Sequence, residues 1–266
     1  MFRRNLPGIV TLFAVAVAAA ASRASDAGLV TSRARPSIEY RLERAPADRS
    51  TFNRRFTTAQ RAVLEKINRA DESHLARLKQ LVVPSVWVDE LEYSPFAVTY
   101  SPGAHLPKLL VVDLFAQAFA GYERGVLVRW GPVSSGRDRG ATPNGLFYLT
   151  WRSRGHRSTV NPEWFMEWYF NFDNIAGLSL HEYELPGRPA SHGCVRLLER
   201  DARWLYAWGD GWTLRENGEV ATHGTPLLIL NEYPFDSSPP WRDLTFVAAG
   251  VRLPERLPGP IAPPFR

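Results

Sequence analysis

Short apolar runs separated by turn residues fill the middle of the chain, and they constrain its fold more than any other feature. They lie at 109–113, 115–122, 125–130, 145–151, 177–181 and 225–230. Runs of this length, rich in β-branched and aromatic residues, are typical of strands. In the same region only 199–208 has a convincing helical pattern. Several strands joined by short turns, with one helix, predict a mostly β domain over 106–232.

The regions on either side of this β domain have a different character. Residues 25–55 are rich in Arg, Ser, Ala and Pro with little apolar periodicity, and we interpret them as a linker. Residues 56–85 contain two short helical patterns and a final apolar run, which predict a small helical segment. Residues 233–266 are rich in proline and predict an extended tail, which Trp241 and Phe246 would anchor on the domain.

The first residues have the pattern of a secretory signal peptide. Arginines at positions 3 and 4 precede an apolar run at 9–21, and small residues follow. The run is shorter than the roughly 20 residues that a membrane-spanning helix needs. We therefore predict that residues 1–24 are removed and that the protein is exported to the periplasm or cell envelope. In the alternative, an uncleaved segment anchors the chain, and it is then the only contact with a membrane.

The net charge of +5 over 266 residues is carried almost entirely by arginine, because lysine occurs only at positions 66, 79 and 108. Arginine binds carboxylates and phosphates through paired hydrogen bonds. A nucleic-acid-binding protein would cluster its basic residues or carry a recognisable binding motif. Here the arginines are scattered and no such motif accompanies them. The sequence therefore predicts no nucleic-acid partner.

Cys194 is the only cysteine, so an intramolecular disulfide and a Cys-rich zinc site are both excluded. Ser191, His192 and Gly193 precede it directly. A nucleophilic thiol needs a nearby base and N–H groups that bind the oxyanion. The amides of Gly193 and Cys194 are candidates for the oxyanion site, and His181, at the end of a predicted strand, is the candidate base. From the residues alone, an inert thiol and a zinc site made by His181, His192 and Cys194 remain alternatives.

Residues 191–196 resemble the signature of the L,D-transpeptidases with a YkuD-type catalytic domain, which is Ser/Thr-His-Gly-Cys followed by an apolar residue and Arg or Asn. Further pieces fit the family in the same order: 108–114, 133–136, the Thr-Pro-x-Gly-x-Phe turn at 142–147, His181, and Gly-Thr-Pro at 224–226. The resemblance covers about 106–232. It departs from the family at Glu182, where His-Gly is usual, and in the short loop between His181 and Cys194. A second resemblance, of 64–84 to the second half of a glycan-binding LysM module, competes with a simple helical hairpin that packs on the main domain.

The resemblance to L,D-transpeptidases implies a β-sandwich-like fold and a cysteine acyl-enzyme that cross-links bacterial peptidoglycan. Cys194 would be the nucleophile and His181 its base, oriented by the backbone carbonyl of Glu182. His192 would support the loop and have a minor catalytic role. The donor would be a stem tetrapeptide that loses its terminal D-alanine, and the acceptor an amine of another stem peptide or of an outer-membrane lipoprotein. No metal or organic cofactor is implied.

Candidate substrate-binding residues are Arg196, Ser191 and Arg154. Arg154 belongs to an arginine-rich stretch at 152–157, which is either a clamp for substrate carboxylates or a solvated basic loop. The aromatic stretch at 164–172 is either an active-site cover or part of the core. Two alternative functions remain. One is a cysteine hydrolase that trims stem peptides as an L,D-carboxypeptidase or amidase, and the other is a non-catalytic wall-binding protein.

Overall fold

A strand–helix–strand unit opens the part of the chain that the computed structural model describes, residues 38–158 and 161–259. The unit consists of β1 (Tyr40–Arg44), α1 (Arg49–Arg55), α2 (Thr58–Asn68), α3 (Glu72–Leu75) and β2 (Gln80–Pro84). The two strands pair antiparallel, with Tyr40 opposite Pro84. Helix α2 begins at a capping box, in which Thr57 and Gln60 each accept a hydrogen bond from the other's amide.

The prediction of a linker over 25–55 is corrected for residues 40–55, which form β1 and α1. One aromatic residue among the arginines explains the difference. Phe52 is completely buried beside Leu64 and Leu75, so a mostly polar helix still contributes to a small core. Strand β1 adds a first strand to the predicted helical segment, and the resemblance of that segment to a LysM module stays a prediction. The predicted signal peptide at 1–24 lies outside the described residues.

A nine-stranded sheet forms the centre of the molecule. The remaining elements are β3 (Lys108–Asp113), β4 (Ala118–Glu123), β5 (Val126–Ser134), β6 (Gly145–Tyr148), β7 (Arg152–Arg157), β8 (Phe165–Asp173), β9 (Leu178–Glu182), β10 (Val195–Leu197), α4 (Glu199–Trp208), β11 (Thr213–Leu214), β12 (Val220–Thr222), β13 (Pro226–Leu230) and α5 (Leu244–Ala249). The strand order in the sheet is β6-β13-β3-β4-β5-β10-β9-β8-β7. Strands β11 and β12 form a separate hairpin. The arginine-rich stretch at 152–157 is strand β7 rather than a loop.

Both faces of strand β3 are buried, which explains its continuous apolar sequence. Leu109 and Val111 face a core that is shared with helix α2. Leu110 and Val112 face a second core, which includes residues of β8, β9, β10 and α4. The sheet therefore curls until its two halves enclose this second core between them. The prediction of a mostly β, sandwich-like domain is confirmed.

The N-terminal unit is tied to the loop between β9 and β10. The Asp71 carboxylate accepts a hydrogen bond from the Leu185 amide at 2.8 Å, and the Asp71 amide donates to the Leu185 carbonyl at 3.0 Å. Ala70 and Pro186 form an isolated β-bridge next to this pair. The loop that connects the candidate base to the candidate nucleophile is thus fixed from outside the sheet.

The C-terminal stretch returns to the same side of the sheet as helix α2. It contains a short 3-10 helix (Pro240–Arg242) and α5, so the predicted extended tail is partly helical. Trp241 is 2% exposed, and Phe246 packs against the first core. The prediction that these two aromatic residues anchor the stretch is confirmed. Within the described ranges, no helix has the length and apolar character needed to cross a membrane.

Candidate active site

Strands β9 and β10 bring the candidate nucleophile and base together. They pair in parallel, with Val195 opposite Leu180 and Arg196 opposite His181. Cys194 lies immediately before β10, and because side chains alternate along a strand, it shares a face with Arg196. Cys194, His181, His192 and Arg196 all line one cavity of about 300 Å³.

His181 is buried and has a defined tautomer. Its Nδ1 lies 2.8 Å from the carbonyl oxygen of Glu182, and because a carbonyl can only accept, Nδ1 carries the proton. The expected orienting contact with Glu182 is therefore present, and Nε2 is left as a proton acceptor. Burial lowers the pKa of His181 to about 4, and the nearby Arg196 charge acts in the same direction while the Glu182 carbonyl opposes both. His181 is consequently a neutral imidazole at physiological pH.

The loop that carries Cys194 is held by two hydroxyl groups. Ser191 Oγ donates to the carbonyl of Cys194 and accepts from the amide of Gly193 at 3.1 Å. Thr142 Oγ1, in the Thr-Pro turn, donates to the Gly193 carbonyl at 2.8 Å and accepts from the Gly136 amide at 2.9 Å. Gly193 has φ +121°, a backbone conformation that favours glycine.

These contacts change two of the predicted roles. Ser191, expected to bind substrate, is buried and uses its hydroxyl within the loop. The Gly193 amide, expected to bind the oxyanion, is engaged by Ser191. The Cys194 amide remains the predicted oxyanion donor.

His192 and Arg196 both line the cavity, but they differ in their exposure to solvent. His192 is exposed, accepts a hydrogen bond from Arg137 at Nε2, and packs against the ring of Trp164 at 4.8 Å between centroids. This position fits a support for the loop. Arg196 is partly buried, and its guanidinium lies 4.5 Å from the ring centroid of Tyr183.

Arg154 is exposed and does not line the cavity, which corrects its predicted role in substrate binding. Its guanidinium lies 3.2 Å from the ring centroid of Trp168, on the far side of β8. Trp168 has φ +54°, and this conformation reverses the alternation of the strand. Trp164 therefore lines the cavity, Phe170 belongs to the second core, and Trp168 packs on Tyr206 of helix α4.

Sequence reasoning missed Trp151, Ser179 and Tyr183, which line the cavity or touch the thiol. Within the aromatic stretch at 164–172, it did not single out Tyr169 and Asn171. A signal was available for Ser179, because it lies two positions before His181 in a strand and must share its face. Tyr169 gave no such signal, since the reversal at Trp168 is not visible in the side-chain pattern.

The alternative of a zinc site does not fit the side chains. His192 is directed to Arg137 and Trp164 rather than toward His181 and Cys194. Across 38–158 and 161–259, no three His, Cys, Asp or Glu side chains are grouped closely enough to hold a metal ion.

Residues 107–229 match the family model of the YkuD L,D-transpeptidase catalytic domain. The matched region contains all of the sheet from β3 to the penultimate residue of β13, together with both candidate catalytic residues. This region of the chain is thus a YkuD-type L,D-transpeptidase catalytic domain.

Solved structures of L,D-transpeptidases are also similar to the chain. One from Stackebrandtia nassauensis is 25% identical, covers 48% of this chain and 58% of its own, and has a TM-score of 0.40. One from Mycobacterium smegmatis is 20% identical, with 47% and 59% covered and a TM-score of 0.38. One from Mycobacterium tuberculosis H37Rv is 20% identical, with 47% and 58% covered and a TM-score of 0.38. The chain thus spans less than two thirds of these proteins. The comparison with curated proteins gives no match.

Proposed function

We propose that this protein is a peptidoglycan L,D-transpeptidase that forms a cysteine acyl-enzyme from a stem tetrapeptide and transfers it to an amine. The observation that carries the proposal is the placement of Cys194 and a neutral, oriented His181 in one cavity of a YkuD-type domain. A cavity of this kind provides a nucleophile, a proton acceptor and room for a peptide.

In the first half of the reaction, the Cys194 thiol gives its proton to Nε2 of His181 as sulfur attacks the carbonyl that precedes the terminal D-alanine. A carbon–sulfur bond forms, and the oxyanion is bound by the Cys194 amide. When the tetrahedral intermediate collapses, the carbon–nitrogen bond breaks and His181 returns the proton to the leaving amine. The product is a thioester, so the energy of the cleaved peptide bond is retained without ATP.

In the second half, an amine of the acceptor attacks the thioester carbonyl. His181 takes a proton from the attacking nitrogen, the carbon–sulfur bond breaks, and the proton returns to the thiolate of Cys194. Acceptors of the required chemistry are the free amine of another stem peptide and a lysine amine of an outer-membrane lipoprotein. Either acceptor places the reaction in the periplasm, as the predicted removal of residues 1–24 also does.

The charge of the cavity supports a stem peptide as the substrate. None of the described residues that line it is acidic, whereas Arg196 lines it and Arg137 lies at its rim beside His192. Stem peptides carry free carboxylates, which arginine binds with charge-assisted hydrogen bonds. The same cavity contains the aromatic rings of Trp151 and Tyr169, stacked at 4.9 Å between centroids. These rings would pack against the apolar side chains of the peptide.

Mass spectrometry of products tests the proposal. The purified protein is incubated with disaccharide-tetrapeptide, with and without an amine acceptor. A cross-linked dimer that appears only with the acceptor supports transfer. Disaccharide-tripeptide as the sole product at saturating acceptor would assign the protein as a hydrolase. No product and no acyl-enzyme would leave only a wall-binding role.

A further inference from the structure

A set of buried polar side chains lies next to the thiol, and the mechanism above does not use it. Ser179, Asn171 and Tyr169 are 0%, 1% and 2% exposed, and Thr150 is also buried. Ser179 Oγ lies 3.4 Å from the sulfur of Cys194. Burying polar groups is costly unless each has a partner, so their arrangement calls for an explanation.

The donors in this set can be assigned from the contacts. Asn171 Nδ2 lies 3.3 Å from the carbonyl of Asp173, and because a carbonyl only accepts, this atom must be the amide nitrogen. Asn171 Nδ2 then donates to the Tyr169 hydroxyl at 3.2 Å, while Asn171 Oδ1 accepts from Thr150 Oγ1 at 2.7 Å. The Tyr169 oxygen therefore already accepts one hydrogen bond.

Ser179 is the member of this set that touches the sulfur. Its hydroxyl donates to Cys194 Sγ at 3.4 Å. Because the Ser179 side chain is completely buried, this hydrogen bond lies in an environment shielded from solvent, where it is electrostatically stronger than in water.

We propose that Ser179 is a catalytic residue that stabilises the Cys194 thiolate by a hydrogen bond. The neutral state of His181 gives this bond its importance. A buried imidazole with a pKa of about 4 does not supply a positive charge beside the thiolate at neutral pH. A hydrogen bond to the charged form of the thiol favours that form.

Other titratable and charged groups face the thiol and contribute to its titration. They are His156, Tyr169, His181, Tyr183, His192 and Arg196 in the cavity and Arg137 at its rim. None of them is changed in the variants below, so their contribution is common to all of the proteins compared.

The test is the rate at which iodoacetamide alkylates Cys194 in the full mature chain, measured by intact mass from pH 5 to 10. In Ser179→Ala, we expect the midpoint of the rate profile to rise by about one pH unit, which slows alkylation at pH 7 about tenfold. In Ser179→Thr, which keeps a hydroxyl, we expect the wild-type midpoint. Tyr148→Phe removes a hydroxyl from a tyrosine that stacks on His223 away from the cavity, and it should match the wild type.

A folded Ser179→Ala protein with the wild-type midpoint would overturn the proposal. If Ser179→Ala does not fold, Ser179→Gly and Ser179→Thr decide: the threonine hydroxyl should keep the wild-type midpoint while the glycine raises it, and equal midpoints in both would reject the hydrogen bond. The inference rests on the proposed cysteine chemistry, but alkylation needs no turnover. Loss of transpeptidation with the expected alkylation shifts would contradict only the proposed function.

Discussion

At the scale of single residues, the role that we propose for Cys194 is chemical and needs little packing, because its side chain is only partly buried and faces the cavity. We expect Cys194→Ala to abolish formation of the acyl-enzyme and of cross-linked product. The melting temperature should change by no more than a few degrees, since few packing contacts are lost. Intact mass after incubation with tetrapeptide and a thermal melt measure the two effects. Residual turnover in this variant would reject the assigned nucleophile.

His181 and His192 should differ in their importance. His181→Ala removes an oriented proton acceptor and should lower kcat/KM by at least about 100-fold. His192→Ala removes an exposed ring that supports the loop, and the loss should be smaller. A larger loss in His192→Ala would reverse the two roles.

The pH profile adds a second readout for His181. Its pKa is lowered to about 4, and a base acts only while it is neutral. Activity should therefore persist below the usual histidine pKa of about 6.5 and fall only as the pH approaches 4. A measured acid limb of kcat/KM near pH 6.5 would contradict the buried, neutral state.

The two arginines that the sequence offered as substrate ligands form a matched pair. Arg196 lines the cavity, whereas Arg154 lies over Trp168 outside it. Arg196→Ala should raise KM for the tetrapeptide about tenfold or more, because a charge-assisted hydrogen bond is lost. Arg154→Ala should leave KM near the wild-type value. Steady-state kinetics on both variants test this prediction. An equal rise in KM in both variants would show that Arg154 also binds the substrate.

At the scale of elements, the aromatic stretch at 164–172 contains one tryptophan that lines the cavity and another that packs on a helix, and its sequence does not distinguish them. Trp164 lines the cavity and contacts His192, while Trp168 packs on helix α4. Trp164→Ala should raise the ratio of hydrolysis to transfer, because water reaches the thioester more easily. Trp168→Ala should mainly lower the melting temperature. The product ratio of tripeptide to cross-linked dimer, with a thermal melt of each variant, decides between these outcomes.

Predictability from sequence also differs between elements. Strand β3 and helix α4 were predictable because their apolar patterns are local and continuous. Strand β1 was not, since its pairing partner β2 lies beyond three helices and its own sequence is polar. In the site, the Cys194 motif and His181 were recognisable from spacing. The roles of Ser191, Gly193 and Arg154 were not, because they depend on which neighbour takes each hydrogen bond and on the backbone of Trp168.

At the scale of the whole molecule, the N-terminal unit and the catalytic domain share a core. Val63, Ile67 and Val82 of the unit belong to the same cluster as Trp130 and Val111 of the sheet.

The Lys66 side chain, which is 0% exposed, strengthens this connection. Its ammonium donates to the Trp130 carbonyl at 2.9 Å and pairs with Glu90 at 2.9 Å. The ammonium is buried while the Glu90 side chain is partly exposed, so the Trp130 carbonyl is the buried partner that ties Lys66 to the sheet.

We therefore expect the family-matched segment 107–229 to fail to fold by itself. Removing the unit would expose Trp130 and one face of β3, an apolar surface too large for a stable monomer. The segment 38–259, which retains the unit, is the control and should unfold cooperatively. Near-ultraviolet circular dichroism and thermal melts compare the two. A cooperative transition in 107–229 would show that the shared core is dispensable.

The shared core has a consequence for how such a chain can be rearranged in evolution. The similarity to the family model begins at residue 107. Residues on both sides of this boundary nevertheless pack in the same core. A recombination event that joined this catalytic domain to a different N-terminal segment would remove the contacts of Ile67 and Lys66 with the core around Trp130. The side chains of the new segment would have to replace them. The same event would also remove Asp71 from the loop that leads to Cys194. We therefore expect a successful exchange only with a partner that already fits both the exposed face and the loop.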